Sequence, residues 1–96
     1  VRSMVAALVL IKADTDKVGS LAQALTSIEG VQEVFSVAGR WDLVAIVRVR
    51  NNEDLATVVT DRIRKLPDIA GSETMIAFRT YSKRELEAGF SLGVED

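Results

Sequence analysis

The residues best suited to binding a small molecule lie in one short turn, where the chain reads Ala38-Gly39-Arg40-Trp41-Asp42. A glycine permits the positive φ angle that a tight hairpin requires, and Asp42 places an anion beside it. Trp41 adds a flat apolar surface, and loops held between strands often carry binding residues. This combination suits a small zwitterionic ligand, so the first candidate ligand-binding residues are Gly39, Arg40, Trp41 and Asp42.

The same turn also has a purely structural interpretation. Gly39 would then only provide left-handed backbone, and Asp42 would hydrogen-bond the backbone of the loop. Trp41 would anchor an oligomer instead of forming the wall of a pocket. Both interpretations stay open from the turn alone.

Side chains that commonly perform catalysis are scarce. The sequence contains neither His nor Cys, which removes the commonest general base, the commonest thiol nucleophile and most transition-metal ligands. It has no glycine-rich phosphate loop and no nucleophile elbow, and its acidic residues do not follow metal-ligand spacing. We therefore expect no catalytic residue, no metal site, no cofactor and no enzymatic activity.

Two groups of basic residues could bind anions. Arg48 and Arg50, together with Arg40, could pair with a ligand carboxylate, or they could serve as edge charges that keep the protein in solution. The second group stands at the predicted C-terminus of a helix, where the helix dipole already explains cations: Arg62, Arg64 and Lys65.

Composition favours one small cytoplasmic domain. The 96 residues are 48% hydrophobic, and a domain of this size buries only about 60–65% of its unfolded surface, so association would add useful burial. The net charge of −2 argues against a dedicated nucleic-acid binder. No disulfide framework, leader or 18-residue apolar run is present, which favours a cytoplasmic protein without a membrane partner.

The hydrophobic pattern predicts six elements in the order βαββαβ. Strands are expected over residues 4–11, 31–38, 43–49 and 73–80. The first helix should be capped by Asp14, Thr15 or Asp16 and stopped by Gly30. The second should begin at Asn51 or Asn52 and end before Pro67. The predicted buried residues of the helices are Val18, Leu21, Ala22, Leu25 and Ile28, then Leu55, Val59, Ile63 and Leu66.

This order predicts an α+β, ferredoxin-like βαββαβ sandwich. Right-handed crossovers place both helices on one face of a four-stranded antiparallel sheet, with the first and third strands in the centre. The two central strands are nevertheless apolar on both faces. In the first strand Ala6, Leu8 and Leu10 alternate with Val5, Val9 and Ile11, and in the other central strand Leu43, Ala45 and Val47 alternate with Val44 and Ile46. Because a monomer rarely exposes so large an apolar patch, we expect a dimer packed sheet against sheet.

The chain resembles the effector-binding domain of the Lrp/AsnC, or feast/famine, transcription regulators from about Met4 to Arg79. The residues that carry the resemblance are Ile28-Glu29-Gly30-Val31, the segment from Val34 to Asp42, and Leu66-Pro67-Asp68-Ile69 leading into Glu73-Thr74. The resemblance implies a ferredoxin-like fold, sheet-to-sheet homodimers assembled into rings that are commonly octamers, and an amino acid or related metabolite bound between dimers. It also implies that Gly39 and Asp42 contact the ligand, helped by Ser72 and Thr74 from across the interface.

Full-length members of that family carry an N-terminal helix-turn-helix, which nothing before Val1 resembles. We therefore expect no direct nucleic-acid contact, and favour a stand-alone effector-binding domain acting with full-length regulators over a fragment of one. Residues 1–80 should form the domain. Residues 81–96 should form a tail with a short helix, since Ser82 and Glu85 have capping-box spacing.

The leading hypothesis is thus a non-enzymatic oligomeric regulator that binds an amino-acid-like effector. Two alternatives stay open: a small dimeric ferredoxin-like enzyme of the cofactor-free monooxygenase type, and a purely structural assembly module.

Overall fold

The computed structural model describes residues 4–81 and residue 83 of the chain. Its elements are β1 (Val5–Ala13), α1 (Val18–Thr26), β2 (Val31–Ser36), β3 (Leu43–Val49), α2 (Asn52–Ala56) and β4 (Ile69–Ile76), with α2 continuing directly into a π-helix, π1 (Thr57–Ile63). The predicted order βαββαβ is confirmed.

The four strands form one antiparallel sheet in the order β2-β3-β1-β4. The two strands that are apolar on both faces, β1 and β3, occupy the centre as predicted. Both helices pack against one face of the sheet and form a single buried cluster with it. The cluster includes Val9, Ile11 and Leu43 from the sheet and Leu25 and Ile63 from the helices. The helices therefore lie on the same side of the sheet, and the ferredoxin-like fold is confirmed.

Three of the four strands have bounds that differ from the predicted ones. β1 continues through Lys12 to Ala13, and β4 occupies residues 69–76 instead of 73–80. The cause is a bulge, because Lys12 lies opposite Gly71 but Ala13 lies opposite Ile69. Pairing therefore starts earlier on β4 than the alternating pattern indicated, and β2 likewise stops at Ser36 instead of residue 38.

A second bulge corrects the predicted faces of β2. Val31 lies opposite Val47 and Glu33 lies opposite Ile46, so Gln32 is the extra residue. Strict alternation along this strand would place Val31 and Val34 on opposite faces. In the structure both pack against the core, because one inserted residue changes the side on which the preceding residue points.

The predicted caps of α1 are wrong. The N-cap position is Lys17, with no side-chain hydrogen bond to the helix. Asp14 instead accepts a backbone hydrogen bond from Lys17, and its own N–H donates to Asp68, each at 2.9 Å. The helix ends at Thr26, before Gly30; the positive φ of Gly30, +101°, serves the entry into β2.

The second helix begins as predicted, but its interior differs. Asn51 caps it by accepting a 2.8 Å hydrogen bond from the Asp54 N–H. Its fully buried residues are Leu55, Val58 and Ile63, whereas 3.6-residue periodicity had selected Val59 in place of Val58. The wider π-helical turn of π1 explains this, since it separates Val58 from Ile63 by five positions.

Most of the predicted C-terminal tail, including the short helix proposed between Ser82 and Gly89, lies outside the described residues. Within the part of the chain that the structure describes, no helix is long and apolar enough to cross a membrane.

Candidate functional site

Asp42 connects the turn between β2 and β3 to the end of β1. Its backbone N–H donates to the Ile11 carbonyl at 2.9 Å, and its carbonyl accepts from the Val37 N–H at 3.0 Å. Its carboxylate Oδ2 accepts from the Ala13 N–H at 2.9 Å and lies 3.7 Å from the Lys12 Nζ. The side chain of Asp42 is thus a structural link between two strands, as well as an anion at the surface.

The other residues of the turn are open to a ligand. Gly39 has a φ of +131°, and a Cβ placed there would meet no atom within 4 Å. Arg40 is exposed and Trp41 is half-buried. The side chain of Asp42 is 28% exposed, and its hydrogen bond and ion pair with described residues both use Oδ2. A carboxylate oxygen, a guanidinium and an aromatic surface therefore lie together at one end of the sheet.

Ser72 and Thr74 lie on β4, on the face of the sheet that carries the helices. They stand opposite Ile11 and Val9 of β1. Together with four other residues they line an open groove of about 550 Å³ between β4 and the second helix; the others are Val59, Arg64, Ile69 and Gly71.

The structure brings the two halves of the predicted site to the same end of the sheet but not into one pocket. Ile11 lies between Leu43, the residue after Asp42, and Ser72. Two strand spacings, about 10 Å, therefore separate the hairpin from β4 within one chain. A ligand that contacts both halves would need them from two different copies of the chain.

The structure does not keep together the two groups of basic residues that the sequence suggested. Arg40 lies in the turn, whereas Arg48 and Arg50 lie at the opposite end of β3, about 20 Å away by the rise of a strand. Arg62 and Arg64 line different depressions, so the two arginines do not form a single patch. Arg48, Arg50 and Arg62 instead surround one cavity, a grouping that the linear sequence did not indicate.

The sheet face opposite the helices, called the open face below, is apolar in its centre. Leu8 lies between Ile46 and Met75, and Leu10 pairs with Val44, which pairs with Phe35. Leu8, Met75 and Phe35 are 36%, 47% and 49% exposed. This is the uncovered surface that the sequence predicted, and its charged rim includes Glu33, Arg48 and Glu73.

Comparison with known families gives one match that covers most of the chain. The model of the Lrp/AsnC ligand binding domain matches residues 6–86. An HTH-type transcriptional regulator of Pyrococcus horikoshii is 36% identical over 80 residues, and one of Pyrococcus abyssi is 35% identical over the same length. In both comparisons the match covers 80% of this chain and 53% of the regulator. The chain therefore spans about half the length of these relatives.

Solved structures share the fold. The protein TTHA0845 from Thermus thermophilus is 40% identical, with a TM-score of 0.78 over 82% of this chain and 99% of that chain. AsnC of E. coli is 22% identical, with a TM-score of 0.77 over 83% of this chain and 54% of that one. The feast or famine regulatory protein from M. tuberculosis, in complex with L-methionine, is 29% identical, with a TM-score of 0.65 over 83% of this chain and 54% of that one.

Proposed function

This chain belongs to the Lrp/AsnC ligand-binding domain family, and from that membership we propose that it is a non-enzymatic effector-binding domain that takes an amino acid or a related small metabolite. The observation that carries the proposal is the turn Gly39–Asp42, with its open glycine, exposed guanidinium and partly free carboxylate. A carboxylate can hold the ligand's ammonium, and a guanidinium or backbone N–H can hold its carboxylate. The methionine-bound relative from M. tuberculosis supports this ligand class.

The proposed assembly starts with a homodimer formed through the open face. Leu8, Phe35 and Met75 expose apolar side chains there, around the half-buried Leu10, Val44 and Ile46. A second copy of the same face would bury this surface from water, which is favourable at about 25 cal/mol per Å² of apolar area. The charged rim of Glu33, Arg48 and Glu73 provides both signs for a self-complementary contact.

The ligand site is proposed to form between dimers. The hairpin of one copy and the groove beside Ser72 and Thr74 of another would together enclose the ligand, since one chain holds these halves about 10 Å apart. Ligand binding would then favour the assembly that completes the site, because a ligand shifts an equilibrium toward the state that it binds better. Rings of dimers, including octamers, are the expected products.

The proposed role is to modulate transcription regulators, because several relatives are named as such regulators. Association with full-length regulators of the family, the absence of direct nucleic-acid contact and a cytoplasmic location stay predictions. The regulator names of these relatives also favour a non-enzymatic role over the ferredoxin-like monooxygenase considered from the sequence.

A thermal-shift screen against the twenty amino acids and common keto acids, with light scattering on each hit, tests this function. A ligand at about 100 times its Kd should stabilise the folded state by roughly 2.7 kcal/mol. A hit that also changes the oligomer size would support the proposed sensor. If no compound shifts the melting temperature and the dimer never assembles further, the effector-binding proposal is wrong and the structural module is favoured.

A further inference from the structure

A second cavity lies at the end of the sheet opposite the hairpin. Its volume is about 370 Å³, within the usual range of small-molecule sites, about 300–1,000 Å³. It lies among the end of β3, the turn before β2 and the second helix. The charged residues that line it are Arg48, Arg50, Arg62, Glu29 and Asp54.

The residues that line this cavity carry more positive than negative charge, and they form no ion pair with one another. Three arginines and two acidic residues are among those that line it, so the lining has a formal charge of +1 in a chain whose net charge is −2. Among the described residues the only ion pair joins Lys12 and Asp42, so none of the three guanidiniums lies within 4 Å of Glu29 or Asp54. Within the described part of the chain no carboxylate pairs with these guanidiniums, and their planar N–H groups match the oxygens of phosphate and carboxylate.

The wall of the cavity is fixed by close packing. The Arg48 N–H donates to the Gly30 carbonyl at 2.9 Å, which holds the turn against β3. Gly30 approaches the second helix so closely that an added Cβ would lie 2.9 Å from Val58 Cγ2 and 3.2 Å from Val49 Cγ1. A rigid wall reduces the conformational entropy that a ligand must overcome on binding.

The helical side of the cavity is formed by an unusual segment. Thr57, Val58 and Arg62 belong to π1. π-Helical turns are rare, and those in known proteins often lie at functional sites. Here the π-helix sends Val58 into the core while Arg62 lines the cavity.

We propose that this cavity binds a small polyanion, carrying either a phosphate or two carboxylates, through the guanidiniums of Arg50 and Arg62, while Arg48 contributes its backbone to the wall. The site is separate from the proposed amino-acid site, because the length of β3 lies between Asp42 and Arg50. A protein with both sites would respond to two classes of metabolite.

Isothermal titration calorimetry of the wild-type protein with inorganic pyrophosphate and with succinate, at a fixed ionic strength set with NaCl, tests the proposal. We expect saturable binding of at least one probe, and the preferred probe distinguishes the phosphate from the dicarboxylate. Arg62→Gln and Arg50→Gln should each weaken binding at least about tenfold, because each removes charge-assisted hydrogen bonds.

Lys65→Gln is the matched control, since Lys65 is an exposed cation three positions from Arg62 and lines neither this cavity nor the groove beside β4. Its affinity for the probe should equal that of the wild type. Arg62 and Arg50 are both exposed, and circular dichroism confirms folding of each variant, so either one suffices for the test. The proposal is overturned if neither probe binds saturably, or if Lys65→Gln weakens binding as much as Arg62→Gln.

Discussion

The carboxylate of Asp42 accepts a hydrogen bond of 2.9 Å from the backbone N–H of Ala13, 29 residues earlier in the chain. This contact lies where β1 bulges against β4, between Lys12 and Ala13. Asp42 therefore holds the binding turn in place with one carboxylate oxygen. The other oxygen can face a ligand, so the structural and the ligand-binding interpretations of this residue are compatible.

Substitutions of Asp42 should separate these two roles. Asp42→Asn keeps an oxygen that can accept from the Ala13 N–H but removes the negative charge, so we expect nearly wild-type stability and loss of amino-acid binding. Asp42→Ala leaves the Ala13 N–H without its acceptor and should lower the free energy of unfolding by about 1–2 kcal/mol. Urea denaturation at one protein concentration and the thermal-shift screen measure the two effects. Wild-type affinity in Asp42→Asn would remove the carboxylate from the ligand site.

Gly30 should be intolerant of a side chain. Gly30→Ala combines a φ of +101° with a Cβ only 2.9 Å from Val58 Cγ2, so we expect a loss of about 2–3 kcal/mol in the free energy of unfolding. Gly39→Ala has an unfavourable φ but free space, and about 1 kcal/mol is expected. Thermal and urea unfolding compare the two variants, and equal losses would show that the contact with Val58 adds nothing.

At Gly19 we expect replacement of glycine by alanine to stabilise the protein, the opposite of its effect at Gly30. Gly19 lies within α1, and an added Cβ would meet nothing within 4 Å. Gly19→Ala should therefore stabilise the protein by about 0.5–1 kcal/mol, because alanine has the higher helix propensity. A lower midpoint of urea unfolding than that of the wild type would contradict this prediction.

Features that depend on local sequence pattern were predicted from the sequence, whereas features that depend on pairing between distant strands were not. The apolar runs of β1 and β3 identified the central strands, and Asn51 followed by acidic residues identified the start of the second helix. The bulges at Gln32 and at the end of β1 have no local signal, since they arise from how two distant strands pair.

The same distinction between local and long-range features applies to the two candidate sites. The hairpin from Gly39 to Asp42 is contiguous, so the residue types and spacing revealed it. The cavity of Arg48, Arg50 and Arg62 joins a strand end to a helix, and the π-helical turn that places Val58 in the core departs from 3.6-residue periodicity. Linear spacing could not predict either arrangement.

A charge in the centre of the open face should prevent dimerisation. Leu8 lies between Ile46 and Met75 and is 36% exposed, so the isolated subunit can tolerate Leu8→Lys, whereas a dimer would have to bury the ammonium. Light scattering should then report a monomer at protein concentrations where the wild type is a dimer. Gln23→Lys, on the exposed side of α1, adds the same charge and should leave the dimer intact. A dimeric Leu8→Lys protein would place the interface elsewhere.

Mixed oligomers should reveal whether the ligand site is shared between copies of the chain. Asp42→Asn removes the hairpin half, and Thr74→Val removes the hydroxyl on β4 with little change of shape, so each variant alone should bind the effector weakly. If one site takes its hairpin and its β4 from different copies, co-refolding the two variants in equal amounts should restore roughly a quarter of the sites by random assembly. Calorimetric titration of the mixture counts those sites. A site within one chain would regain none, because no chain in the mixture carries both halves intact, and binding between dimers would then be wrong.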